Sequence, residues 1–282
     1  MRRRAVAPEN LALREGERWR PPIFVPLNSR RARLMAVARR FFDLQAGSLW
    51  LHLAPVLSRA SGTVVDVGCG AQPYRGLLLA ETRYIGLDTE QALEHFGYEV
   101  ADVRAIGADG RWPLQDGEAD LVLATETLEH VPEPSAFLEQ AFRALRPGGR
   151  LIITTPFAAR WHYIPHDYWR FTPSSLRMLL ERAGFEDVVV HGRGNETTVA
   201  CYKLLALLLP YVLPQDAKGT PHLRPVGLLL APLILPLTVA ANRSLRAPAG
   251  DDCLGFTTFA LRAPASEVGL AERPGLGAGY GR

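Results

Sequence analysis

The chain has 282 residues, 48% of them apolar and 22% charged, with a net charge of +3. That length and composition can bury one good core, so a single α/β domain with additions is the first expectation. Three scattered cysteines, Cys69, Cys201 and Cys253, form no C-x-x-C pair, which argues against a zinc knuckle or a disulfide framework and fits a reducing cytoplasm.

The charge is unevenly placed. Residues 1–40 carry eleven arginines against Glu9, Glu15 and Glu17, so the segment is +8 and the remainder −5. No apolar run follows the positive start, so it is not a secretory signal. Residues 1–30 read as a loose, basic arm, either solvated or drawn to anionic lipid. Nucleic acid is not expected as a partner, because aromatic residues hardly interleave with the arginines. From Arg31 to Leu57, apolar residues recur at near-helical spacing, which predicts one or two helices before the first strand.

Strands are expected at 63–67, 84–87, about 98–101, 119–124, 149–154, 186–191 and 255–261, with helices near 73–80, 134–146 and 173–183. Pro147-Gly148-Gly149 should end the second of these helices. Thr172 is placed to cap the third, with Pro173 at its first position and Gly184 past its end. The stretch from Asp88 to Asp102 is too short for a full crossover helix, so a trimmed helix or a loop should connect those strands. No internal repeat is visible.

The most informative junction is T-V-V-D-V-G-C-G-A-Q-P-Y, 63–74, where a β-branched strand runs into an acid and a glycine loop. Gly68 and Gly70 let the backbone turn without a side chain blocking a ligand. The next strand ends in Asp88, near the distance at which nucleotide-binding α/β units place a ribose-binding acid. The third glycine of a dinucleotide loop is missing. Asp66 just ahead of the turn would repel a diphosphate and suit a sulfonium or ammonium group, so a cationic cofactor is expected.

With V-V-D-V-G-C-G at 64–70, Y-I-G-L-D at 84–88, A-D-V at 101–103, A-D-L-V-L-A-T-E-T-L-E-H-V at 119–131 and L-R-P-G-G-R-L-I-I-T-T-P at 145–156, the chain resembles the class I S-adenosylmethionine-dependent methyltransferases. P-H-D-Y-W-R-F-T-P, 165–173, looks like a bacterial branch acting on small molecules or surface glycans. The resemblance implies a Rossmann-like fold: a seven-stranded, mostly parallel sheet with an antiparallel last strand and helices on both faces. It implies S-adenosylmethionine as cofactor, with Asp66, Gly68, Cys69 and Gly70 around its amino-acid half and Asp88 on the ribose hydroxyls. Asp102 and Val103 would read adenine, and Thr125 and Glu126 would close the methionine side.

A hydroxyl acceptor gains from a nearby base, and histidine suits that task. His166, beside Asp167, is the first choice, followed by His130, with His162 also near the sheet edge. Trp161, Tyr168, Trp169 and Arg170 are candidate acceptor-binding residues, the arginine for a carboxylate or phosphate. Glu126, Glu129 and His130 would share one face of a helical turn. A similar E-x-L-E-H-V occurs in ubiquinone-pathway O-methyltransferases, where such residues are associated with a metal, yet relatives with the same letters need none; no metal is assigned here.

Between Thr197 and Ala249, the chain inserts about fifty greasy residues before the last strand, uncharged between Arg224 and Arg243 and broken by Pro232 and Pro236. A pair of short helices in a membrane interface is favoured over an active-site lid, and a lid over a true span. The expected organisation is an arm (1–30), a methyltransferase domain (31–198), an apolar helical insertion (199–250), the final strand (251–264) and a flexible tail (265–282). These features together lead to the expectation of a cytoplasmic methyltransferase, peripheral to the inner membrane, acting on oxygen of a small-molecule, glycan or lipid-linked acceptor; its oligomeric state is not fixed. The rivals are a nicotinamide-dependent oxidoreductase and a non-catalytic membrane adaptor that keeps the fold.

Overall fold

The computed structural model describes residues 30–96, 102–213 and 224–264. The basic arm, the expected strand at 98–101 and the C-terminal tail fall outside the described residues, wholly or nearly so. Seven strands form one sheet: β1 (Thr63–Val67), β2 (Arg83–Asp88), β3 (Val103–Ala105), β4 (Ala119–Thr125), β5 (Leu145–Pro156), β6 (Glu186–Gly192) and β7 (Gly255–Leu261). Their order is β3-β2-β1-β4-β5-β7-β6, and β7 runs antiparallel to both of its neighbours while the other pairs are parallel.

Alternation along the buried strands sorts side chains to two faces. Val65 and Val67 join the larger core with Val122, Ala124, Leu151 and Ile153, under α4 (Pro134–Ala144) and α5 (Pro173–Arg182). Val64, Leu121, Leu123 and Ile152 face the other way, onto Leu49, Leu53 and Leu57 of α2 (Leu44–Leu57). Leu53 and Leu57 are fully buried, worth about 1.5–3 kcal/mol each. Asp66 shares the parity of Val64 and therefore points into this second face.

Local signals explain most element ends. Thr172 and Ser175 form a reciprocal capping box at the start of α5, with Pro173 in its first turn. The β2–β3 connection holds a trimmed helix, α3 (Glu90–Phe96). Two expectations change. The helix near 73–80 shrinks to a single 3-10 turn, Arg75–Leu77, which follows a positive φ at Gln72 and Pro73 and has Gly76 at its centre. The helix before β5 stops at Ala144, because Leu145 already pairs with Ala119 and Gly148 at φ +75° turns the chain inside the strand.

Before β1, α1 (Arg30–Phe42) leads into α2, whose N-cap Asp43 accepts from Ala46 N. The apolar insertion folds as α6 (Glu196–Val212) and α7 (Ala231–Ser244), opened by a second capping box between Asn195 and Thr198. Val199, Cys201, Leu205, Ile234, Ala241 and Leu245 pack with Leu44 and Leu254 into a separate core. Asn242 Nδ2 donates to Phe41 O at 2.9 Å, tying the hairpin to α1. No described helix is long and apolar enough to cross a membrane.

Arg193, just past β6, is fully buried and joins four parts of the molecule. It donates to Glu126 Oε1 at 2.7 Å, to Ser48 Oγ of α2 at 3.1 Å and to Thr155 O of β5 at 3.2 Å. Removing the arginine leaves a hole in the interior and takes the donor from Thr155 O and from Glu126, which is 24% exposed. Arg193→Ala should therefore lower unfolding free energy by roughly 3 kcal/mol in urea titration, and a loss below about 1 kcal/mol would refute this clamp.

Candidate cofactor and acceptor cleft

In an open parallel sheet, ligands bind at the carboxyl ends of strands where the strand order reverses, here between β1 and β4. A cleft of about 2600 Å³ opens there, lined by the glycine loop, the ends of β2 and β4, the β5–α5 loop and the inner faces of α1 and α6. Gly68 N and Cys69 N both donate to Leu87 O, folding the loop over the end of β2. Gly68 has φ +67°, and a Cβ there would collide with Thr127, whose hydroxyl donates to Val67 O at 3.2 Å. Glycine is required at this turn by conformation and by space.

Asp88 closes β2 with its carboxylate in the cleft wall, accepting from Gly70 N at 2.9 Å and Thr89 N at 2.8 Å. Burial raises its pKa against those two bonds. Each oxygen keeps a lone pair, so the carboxylate can accept from the two hydroxyls of a ribose. Cys69, Gly70, Thr125 and Glu126 also line the cleft. Glu126 stands at φ +50° with its amide donating to Thr154 O, and its carboxylate meets Arg193.

Three predicted cofactor residues lie elsewhere. Asp66 is buried beneath the loop, outside the cleft lining, and accepts from Tyr84 Oη at 2.8 Å. Burial pushes its pKa up to about 7, with Tyr84 opposing and Asp88 adding to the rise. Strand parity decides this, since position 66 faces α2. Asp102 and Val103 sit at the amino end of β3, away from the binding edge, and Asp102 pairs with Arg75 at 2.9 Å. The carboxyl end of β3 supplies Ala105, Ile106 and Gly107 to the cleft instead.

The histidines converge. His130, in a 3-10 turn after β4 (Leu128–His130), and His162 and His166, in the β5–α5 loop, all line the cleft with Tyr163 and Tyr168. His130 Nδ1 donates to His166 O at 2.6 Å, and the His130 and His162 rings meet edge to face, 4.9 Å apart. Burial and then His162 lower the His130 pKa to about 4. Asp167 orients His162, not His166: its carboxylate accepts from His162 Nδ1 at 3.2 Å and from Arg170 at 2.6 Å. Burial opposes charge on both partners, yet their hydrogen bond and attraction hold His162 above and Asp167 well below their ordinary values. His166 contacts Tyr168 Oη at 3.2 Å and the Gln91 amide at 3.2 Å.

Of the predicted acceptor residues, Tyr168 lines the cleft, whereas Trp161, Trp169 and Arg170 do not. The Trp169 indole is pinned to Val131 O at 2.9 Å, and Arg170 is committed to Asp167. Sequence reasoning missed Arg193 as the partner of Glu126 and the α6 residues Tyr202, Leu205 and Leu209 in the cleft wall. The arginine lies in H-G-R-G-N, 191–195, where nothing in the spacing marks it as a partner for Glu126.

The fold and this site define a methyltransferase domain, and the chain belongs to that family: residues 37–190 match its model. The cofactor of the family is S-adenosylmethionine. A probable S-adenosylmethionine-dependent methyltransferase of Mycolicibacterium smegmatis is 34% identical over 155 residues, covering 48% of this chain and 58% of that protein. A ubiquinone biosynthesis O-methyltransferase of Idiomarina loihiensis is 30% identical over 160 residues, covering 46% of this chain and 63% of that protein. The matches thus span less than two thirds of either relative. A solved S-adenosylmethionine-dependent methyltransferase from Archaeoglobus fulgidus aligns with a TM-score of 0.48 and 20% identity, over 81% of this chain and 99% of that chain.

The raised pKa of Asp66 has a thermodynamic consequence. Between the unfolded value near 3.8 and the folded value of about 7, the native state binds the extra proton, so stability falls as pH rises through that window. Asp66→Asn keeps an acceptor for Tyr84 and carries no charge. Its stability advantage over wild type should grow from pH 4 to pH 7, by on the order of 2–4 kcal/mol, then level off. Denaturant midpoints across that range read the gap directly, and a flat difference would show Asp66 to be an ordinary carboxylate.

Proposed function

We propose that this chain transfers the methyl group of S-adenosylmethionine to an oxygen of a small-molecule, glycan or lipid-linked acceptor. The observation that carries the reading is one continuous cleft, which joins Asp88 and the glycine loop to the histidines of the β5–α5 loop. The cofactor supplies the activated methyl. Methyl transfer is an in-line displacement, so holding the acceptor oxygen against the methyl contributes much of the rate, with effective molarities on the order of 10⁵–10⁸ M. Asp88 fixes the ribose, and the glycines let the amino-acid end approach the backbone.

His166 is the better-placed base. His130 has Nδ1 committed to a carbonyl, and a pKa near 4 makes it a weak proton acceptor at neutral pH. His166 faces the cleft with Nδ1 against Tyr168 Oη and Nε2 against the Gln91 amide, both exposed contacts, so an acceptor hydroxyl that displaces one of them gives up its proton there as the new bond forms. Water is excluded on one side by the apolar wall of α6.

The helical insertion supports two roles at once. Its inner face bounds the cleft, and its outer face, with α1, leaves Leu34, Met35, Leu204, Leu207, Tyr211, Leu229 and Leu233 exposed. Such an apolar surface, on a chain whose first forty residues are strongly basic in sequence, suits the anionic inner face of a membrane, so we propose a cytoplasmic protein peripheral to that surface. Protein that stays in the supernatant with anionic vesicles would remove this element of the reading.

The reaction itself is tested with radiolabelled S-adenosylmethionine and fractionated lipid and glycan extracts. Label should enter an acceptor fraction with the wild type. Asp88→Ala should weaken S-adenosylhomocysteine binding by about 100-fold or more, the loss of two hydrogen bonds to a charged group. His166→Ala should leave that binding intact and cut turnover by about 100-fold. Undiminished binding by the Asp88 variant would overturn the cofactor assignment; undiminished turnover without His166 would move the base elsewhere. An adaptor would show no label transfer to any fraction.

A further inference from the structure

Beneath the histidines lies a carboxyl group that the methyl-transfer reading does not use. Glu129 is fully buried, and neither of its oxygens has a hydrogen-bond partner among the described residues. A buried carboxyl without a partner forfeits its hydration for nothing in return, a cost of several kcal/mol if it is charged. The nearest polar atom of the histidine pair, His130 Nε2, stands 3.7 Å from Glu129 Oε1, beyond hydrogen-bond range. A ligand atom from each of Glu129, His130 and His162 lies within 4.8 Å of the others.

The two imidazoles are also prepared in the same way. His130 Nδ1 meets only a carbonyl, His166 O, and His162 Nδ1 meets only acceptors, Arg160 O at 3.0 Å and the Asp167 carboxylate. Each Nδ1 must therefore carry a proton, so Nε2 is the nitrogen that each ring, when neutral, offers as a lone pair. Tying the far nitrogen to a carbonyl or carboxylate is how metal-binding histidines are oriented. Asp167 is held in turn by Arg170 through two bonds of 2.6 and 2.8 Å.

From this geometry we propose that Glu129, His130 and His162 bind a first-row transition-metal dication, with His162 in the place that the sequence pattern offers to Glu126. Glu126 is unavailable because Arg193 holds it at 2.7 Å. Two imidazoles and one carboxylate favour ions such as zinc, iron or manganese over magnesium, which prefers an all-oxygen shell. Three protein ligands leave coordination positions open, and since His130 and His162 line the cleft, those positions face the acceptor side. The site goes beyond the methyl-transfer reading and does not depend on it.

The test uses the full chain, stripped with a chelator, then equilibrated separately with zinc, manganese and magnesium, desalted and assayed by elemental mass spectrometry and thermal unfolding. One equivalent of zinc or manganese should remain, with a rise in melting temperature, and magnesium should wash out. His162→Ala should lose the retained ion and the further rise in melting temperature on adding metal, while its S-adenosylhomocysteine binding matches the wild type. Glu126→Gln should still retain one equivalent. The proposal is overturned if no transition ion is retained, if His162→Ala retains it as wild type does, or if loss follows Glu126→Gln instead. Should His162→Ala fail to fold, His130→Ala and the conservative Glu129→Gln decide by the same retention measurement.

Discussion

The reversal of strand order between β1 and β4 is the constraint from which the rest follows. Connections leave these neighbouring strands in opposite directions, so no helix covers their carboxyl ends and a crevice is left open. Thr127 braces that point by donating to both Val67 O and Thr125 O, and its side chain leaves room only for glycine at position 68. Everything with chemical potential gathers around this opening: Asp88 from one side, Glu126 and the histidines from the other.

Burial then decides which charges survive there. Five carboxylates lie at or near the opening, yet they meet different fates. Asp167 stays ionised because His162 and Arg170 donate to it. Glu126 is answered by Arg193, and Asp88 by two backbone amides. Asp66 has one phenol for a partner, Glu129 has none, and burial drives both towards the protonated form. The same residue type thus serves as acceptor, ion-pair partner or neutral filler, according to the donors its neighbours can offer.

The helices outside the family match give the cleft its individual character. α6 and α7 close a second core against Leu44 and Leu254, so they are part of the packed molecule rather than an appendage. Lys203 Nζ donates to Ala158 O at 3.0 Å, joining α6 to the chain beyond β5. The hairpin's inner residues face the cleft and its outer leucines face solvent, so one element shapes both surfaces.

Much of this was legible in the residues. The β-branched run into Gly68 and Gly70, Asp88 at the end of its strand, the Thr172-Pro173 start of α5 and the alternation of helices and strands fixed the fold, because each depends on neighbours a few positions apart. The acids were harder. Asp66 and Asp102 match a pattern of letters, but strand parity turns the first inward, and a later start for β3 leaves the second at the wrong edge. Asp167 follows His166 in sequence and serves His162 in space.

The sequence by itself determined the parallel sheet, the glycine turn and the family, since local backbone preferences and hydrophobic period are carried by short segments. Only the tertiary structure decided that Arg193 takes Glu126, that His130 and His162 stand over an unpartnered Glu129, and that the apolar hairpin walls the cleft. Arg193 and Glu126 are sixty-seven positions apart and His130 and His162 thirty-two, and what sets these relations is packing and the scarcity of buried donors, neither of which a linear pattern encodes.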